Sequence, residues 1–117
     1  MAEELKAARD AFIEASFWHG SKRAADAALA AHPEITGSDV YTAAVLADEA
    51  AVRRFVSADT RQATAKGGPR ELDALTYLCF STYLRDDRDR SDAFVRTATI
   101  LLDAGANPNT GFFDENH

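Results

Sequence analysis

The side chains that could do chemistry in this chain are few and far apart. Cys79 is the only cysteine, and the three histidines are His19, His32 and His117. A thiol nucleophile needs a base within hydrogen-bond reach, and no histidine lies near Cys79 in sequence. Between Leu78 and Phe80 on a helical run, Cys79 reads as a small buried hydrophobe. His19 precedes Gly20 and His32 precedes Pro33, positions where an imidazole can bond the last carbonyls of a helix. His117 is terminal. Metal ions need several ligands converging on one point. Here the histidines are dispersed and the carboxylates are scattered over surface positions, so neither a metal site nor a cofactor is expected.

Two segments invite a sharper reading and do not sustain it. Gly67-Gly68-Pro69-Arg70 has the glycines of a phosphate loop, but no Lys-Ser or Lys-Thr follows and no strand precedes it. It reads as a flexible turn. Asp86, Asp87, Asp89 and Asp92 lie close together, but Arg85, Arg88 and Arg90 interleave with them, and the glycine and terminal glutamate of a calcium loop are missing. Local neutralisation in a solvated loop accounts for them. No base accompanies Cys79 or a serine, so the expectation is a protein that is not an enzyme.

The chain has 117 residues with 46% hydrophobic content, enough for one compact domain. Its 13 basic and 19 acidic residues leave a formal charge of −6, which repels phosphate backbones and argues against nucleic acid as a partner. A single cysteine allows no intrachain disulfide and suits a reducing, cytoplasmic setting. The N-terminus carries Glu3, Glu4, Lys6 and Arg9 among alanines, which is not a signal-peptide pattern. Nothing approaches the roughly 18 apolar residues of a membrane span, so no membrane partner is expected either.

Apolar residues recur at helical spacing, which predicts an all-α protein. A first helix is expected over about 3–19, with Leu5, Ala8, Phe12, Ala15 and Ser16 on one stripe and Gly20 as its stop. Ser21 can cap a second, carrying Ala25, Ala28 and Leu29 and ending near His32-Pro33. Ser38 and Asp39 open a short helix over 41–47, and Val52, Phe55 and Val56 mark its partner. A connector over 60–69 follows. Asp73 caps a helix with Leu75, Leu78, Cys79 and Phe80 that should reach Leu84. Residues 85–92, with seven charges in eight positions, read as a solvated loop. Ser91 or Asp92 then caps a helix whose Phe94, Val95, Ala98, Leu101 and Leu102 should form one buried face, with Gly105 at its end.

These pairs repeat. Ala15-Ser16, Ala43-Ala44 and Leu78-Cys79 hold equivalent places in the first helices, 28 and 35 residues apart, and Ala28-Leu29, Phe55-Val56 and Leu101-Leu102 form a second series. The run Leu101-Leu102-Asp103-Ala104-Gly105-Ala106-Asn107-Pro108-Asn109 resembles the end of an ankyrin repeat and its β-turn finger. Asp39-Val-Tyr-Thr-Ala-Ala-Val-Leu-Ala-Asp48 and Ala51-Val-Arg-Arg-Phe-Val56 resemble a degenerate version of the same module, while the usual Thr-Pro-Leu-His opening is replaced by Asp73-Ala-Leu-Thr76 and Ser38-Asp-Val-Tyr41. The resemblance covers roughly residues 10–111, and it is weakest in the first unit.

That resemblance implies one ankyrin-like solenoid over 1–117, with antiparallel helix pairs at about 3–37, 38–72 and 73–111, fingers between them and a tail at 112–117. It further implies a non-catalytic module that binds another protein through a concave groove and the fingers. The groove columns would be Phe17-Trp18, Val45-Leu46 and Phe80-Ser81. Alternatively Phe17, Val45 and Phe80 turn into the core, leaving Trp18, Leu46 and Ser81. In the fingers, Pro69, Arg70, Leu72, Asn107 and Asn109 could contact a partner; alternatively both asparagines serve the turn itself. Each repeat of such a stack needs a neighbour to cover its apolar face. Residues 1–31 suit an N-terminal cap. At the other end, either Phe112 and Phe113 fold back as a cover, or the chain is the first part of a longer array; truncation is the favoured reading. Both leave the C-terminal face as a candidate for self-association, and a purely structural stack without its own ligand is the alternative function.

Overall fold

The computed structural model describes residues 2–17, 20–86 and 91–106. Its helices are α1 (Ala2–Ala15), α2 (Lys22–Ala31), α3 (Val40–Leu46), α4 (Glu49–Ala58), α5 (Ala74–Cys79), α6 (Thr82–Asp86) and α7 (Ser91–Asp103), with single 3-10 turns at Pro33–Ile35 and Thr60–Ala63. Among the described residues no strand forms, and extended pairing is confined to the isolated bridges Phe17 with Ser81 and Gly67 with Leu72. The all-α class expected from the periodicity is therefore what the chain adopts.

The helices start where short polar side chains can satisfy their free amides. Ser21 Oγ accepts from the Ala24 amide at 3.3 Å, Asp39 from Thr42 at 2.8 Å, Asp48 from Ala51 at 3.1 Å and Asp73 from Thr76 at 2.9 Å. After α7 the chain turns at Gly105, whose φ is +113°, so that the Ala106 amide reaches the Leu101 carbonyl at 2.9 Å and the Gly105 amide reaches that of Leu102 at 3.0 Å. Both bonds cap otherwise unpaired carbonyls of α7.

Three helix pairs result, α1 on α2, α3 on α4 and α5 on α7. Between pairs, α1 packs on α3, α3 on α5 and α4 on α7. The shared core holds Phe12, Ile13, Phe17, Ile35, Val40, Val45, Val52, Leu75, Tyr77, Tyr83, Phe94 and Leu101. Its small members, Ala43, Ala44, Ala51 and Ala74, let backbones come close.

Several expectations are corrected. The first helix ends at Ala15, because Phe17 leaves it to pair with Ser81; Gly20 still abuts this end, where a Cβ would collide with the Ala15 carbonyl. The third unit's first helix stops at Cys79 and does not run to Leu84. Ser81 breaks it by using its hydroxyl twice, donating to the Val45 carbonyl at 2.7 Å and accepting from the Tyr83 amide at 3.1 Å. Serine competes with a helix in this way wherever its side chain finds backbone partners. The expected charged loop is shorter than read, since Arg85 and Asp86 close α6 and Ser91 and Asp92 open α7; Asp87, Arg88, Asp89 and Arg90 lie outside the described residues. On α7 the buried face is Phe94, Thr97 and Leu101, whereas Val95 and Leu102 are 65% and 42% exposed. Thr97 goes inside because its hydroxyl bonds the Ala93 carbonyl at 2.7 Å.

One feature departs from a linear stack, in which each repeat touches only its neighbours. The Thr82 amide donates to the Ser16 carbonyl at 2.7 Å, and Tyr83 Oη donates to Asp26 Oδ1 at 2.6 Å, so the third unit grips the first directly. The extents of 34 × 29 × 28 Å are accordingly close to equal.

Candidate functional site

The residues expected to form a recognition surface divide into two groups. Phe17, Val45, Leu46 and Ser81 are buried and Phe80 is half-buried, so the two groove columns do not form an open apolar surface in this conformation. Trp18 lies outside the described residues. In the alternative, with Phe17, Val45 and Phe80 inward and Trp18, Leu46 and Ser81 outward, Phe17 and Val45 do turn inward, but the outward part is corrected because Leu46 and Ser81 are buried too. The reason is the early end of α5: Ser81 drops between the C-terminal ends of α1 and α3 and covers both.

The second group, Pro69, Arg70 and Leu72, forms a tight hairpin. The Gly67 and Leu72 backbones exchange two hydrogen bonds of 3.1 Å, and the Glu71 amide closes onto the Gly68 carbonyl at 3.2 Å. Gly68 and Glu71 both hold positive φ, +73° and +53°. Two tyrosines fix this hairpin from behind. Tyr77 Oη donates to the Gly67 carbonyl at 2.6 Å and accepts from the Arg70 amide at 3.0 Å, while Tyr41 Oη donates to the Ala65 carbonyl at 3.0 Å. A Cβ on Gly67 would meet the Tyr41 ring at 2.7 Å, and one on Gly68 would meet Tyr77 Oη at the same distance. The glycines thus permit close seating on the rings, and the segment expected to be flexible is pinned by the two tyrosines at three backbone atoms.

Below the hairpin an aromatic chain connects the units. Tyr41 meets Tyr77 at 5.5 Å between centroids, Tyr77 meets Phe17 at 5.5 Å, and Phe17 meets Phe80 at 5.7 Å. Arg70 crosses over the Phe17 ring at 5.0 Å and pairs with Glu14 of α1 at 2.9 Å. Burial is the main cause that raises the Tyr41 and Tyr77 pKa, with the Asp39 charge adding to the effect at Tyr41. A raised folded pKa means that the neutral phenols stabilise the fold below the usual tyrosine value of about 10, and that this contribution is lost as pH rises through the folded values.

Among the described residues the chemistry-bearing groups stay apart. Cys79 is exposed, a correction to the buried reading, because the short α5 turns it outward; partial desolvation by its neighbours and then the Asp73 charge still raise its pKa, away from the reactive thiolate. His32 ends α2 through its backbone amide, which reaches the Ala28 carbonyl at 3.0 Å, whereas its Nδ1 lies 3.2 Å from Glu34. The helix-capping role expected of that imidazole therefore falls to the backbone. His19, His117, Asn107, Asn109, Phe112 and Phe113 lie outside the described residues. Among the described residues no three metal-binding side chains converge, and no helix is long and apolar enough to cross a membrane.

Sequence reasoning missed Tyr41, Tyr77 and Glu14. Their partners are 24, 10 and 56 residues away, and no local pattern reports contacts of that kind. The glycine pair was the available signal, since adjacent glycines also mark a close approach to bulky groups. Comparison of the chain with protein families, curated proteins and solved structures gives no match.

Proposed function

We propose that the chain is a non-catalytic protein-interaction module of the ankyrin-repeat type, with the 67–72 hairpin as its recognition finger. One observation carries this reading: the hairpin stands at the surface with Arg70 exposed and Pro69 half-buried, yet it is anchored by two tyrosines. A rigid loop on a helical scaffold loses little entropy when a partner binds, which favours recognition. The resemblance in the last unit and the stacking of α3 on α5 and α4 on α7 support the same assignment. With the groove columns covered, Pro69, Arg70 and Leu72 supply the contact in the closed form.

Immobilised protein and its Arg70→Glu variant are to be compared for the proteins each retains from cells of origin. A partner held by the first and lost by the second, at equal helicity, is expected. An identical set of retained proteins removes the finger from recognition. The surface ion pair with Glu14 is worth about 0–1 kcal/mol and the stacking of Arg70 on Phe17 about 0.5–1 kcal/mol, a small part of what holds a domain together, and equal helicity checks that the variant stays folded.

A second reading, a structural or self-associating stack, is favoured by exposed Val95 and Leu102 on α7. It requires light scattering to grow with protein concentration and to stop doing so in Leu102→Glu.

A further inference from the structure

The chain carries a net charge of −6, yet the exposed face of α4 is locally positive. Arg53 Nη2 lies 3.3 Å from Glu49 Oε2, and Arg96 Nε of α7 lies 3.0 Å from Glu49 Oε1, so two guanidinium groups share one carboxylate. Arg54 adds a third guanidinium, which forms no ion pair among the described residues. The Glu49 carboxyl registers the excess of positive charge: the hydrogen bond from Arg96, with Arg53 adding to it, holds its pKa below the ordinary glutamate value.

The helix places these groups around a landing area. Ala50 and Ser57 are seven residues apart and fall on nearly one line of α4, with Arg53 and Arg54 projecting to either side of that line. Together with Glu49 they line an open depression of about 430 Å³, with the two small side chains as its floor and the arginines as its walls. Arg54 is held in place: its guanidinium lies 5.4 Å from the centroid of the half-buried Phe55 ring, and its Nη2 is 3.5 Å from where a Cβ on Gly37 would stand. A planar guanidinium already stacked on a ring loses little freedom when it takes up a carboxylate.

We propose that this face of α4, with Arg96 of α7, is a docking surface for an acidic, carboxylate-rich segment of a partner protein. Glu49 displays the mode of binding, one carboxylate bridging two guanidinium groups, and a carboxylate entering between Arg53 and Arg54 repeats it over side chains too small to block it. The positive charge is spread from Arg54 across α4 to Arg96, which suits several single charges along a peptide better than one compact dianion. A long polyphosphate would run past the patch onto a surface of the opposite sign. The proposal goes beyond the finger reading and is independent of it, because the 67–72 hairpin shares no residue with this face and Arg70→Glu tests it separately.

Titration of the full chain with a synthetic peptide of alternating glutamate and alanine, followed by amide chemical shifts, tests the assignment. The amides of Ala50, Arg53, Arg54 and Ser57 are expected to shift saturably, and the same peptide with glutamine in place of glutamate should leave them unmoved. Arg54→Ala should weaken binding about fivefold or more, the loss of charge-assisted hydrogen bonds to one guanidinium. Arg23→Ala, which removes an exposed arginine of α2 and changes the net charge equally, should weaken it less than about twofold, since distant charges are screened. Arg54→Lys keeps the charge and should fall between wild type and Arg54→Ala. Absence of saturable shifts on α4 overturns the proposal, as do equal losses in Arg54→Ala and Arg23→Ala. Tighter binding of a peptide carrying a single phosphoserine would overturn the choice of a carboxylate partner.

Discussion

Phe17→Ala is expected to destabilise the fold by about 3–5 kcal/mol, the usual loss for a buried phenylalanine, out of the roughly 5–15 kcal/mol that holds a whole domain together. Phe17 is 1% exposed and touches the rings of Tyr77 and Phe80, with Arg70 stacked on its face. Truncation leaves a cavity where the first and third units meet. Urea denaturation followed by helical circular dichroism reads the change directly. A loss under about 1 kcal/mol, the range of a surface substitution, would put Phe17 on an open groove after all.

The second large effect is expected at the hairpin. Gly68→Ala places a Cβ 2.7 Å from Tyr77 Oη on a backbone with φ of +73°, so two penalties act at once. The left-handed backbone alone costs about 1 kcal/mol for alanine, and displacing the phenol forfeits its two hydrogen bonds, so the sum is on the order of 2–3 kcal/mol. Gly105→Ala is the matched control. It also has positive φ, +113°, but nothing lies within 4 Å of its Cβ position, so only the backbone penalty applies. Thermal unfolding of both variants should show Gly68→Ala with at least twice the loss of Gly105→Ala. Equal losses would mean that Tyr77 does not pin the hairpin.

The helices could be read because their signals are local. Ser21, Asp39 and Asp73 cap where the sequence placed caps, and the apolar spacing gave the all-α class. What escaped was set by contacts between distant residues. Nothing near Ser81 announces that its hydroxyl bonds the Val45 carbonyl 36 residues away, yet that bond helps end α5, buries Ser81 itself and closes the groove columns. On α7 the same limit showed as a choice of stripe. Val95 and Leu102 share a face with Ala98, Phe94 and Leu101 share another, and periodicity cannot choose between overlapping faces when Thr97 can hide its hydroxyl on its own backbone. The pinning of the hairpin escapes a local reading for a related reason: glycine frees an isolated turn, but Tyr41 and Tyr77 remove that freedom from outside the segment.

The central claim is that the third unit locks onto the first through Ser81, Thr82 and Tyr83. Nuclear Overhauser contacts in the free protein test it most directly. The Thr82 amide should show contacts to the protons of Ser16 and Phe17, and the Tyr83 ring should show contacts to that of Phe12. Contacts between α1 and α2 and between α3 and α5 without any of these would describe an open row of helix pairs, and the closed packing would be wrong.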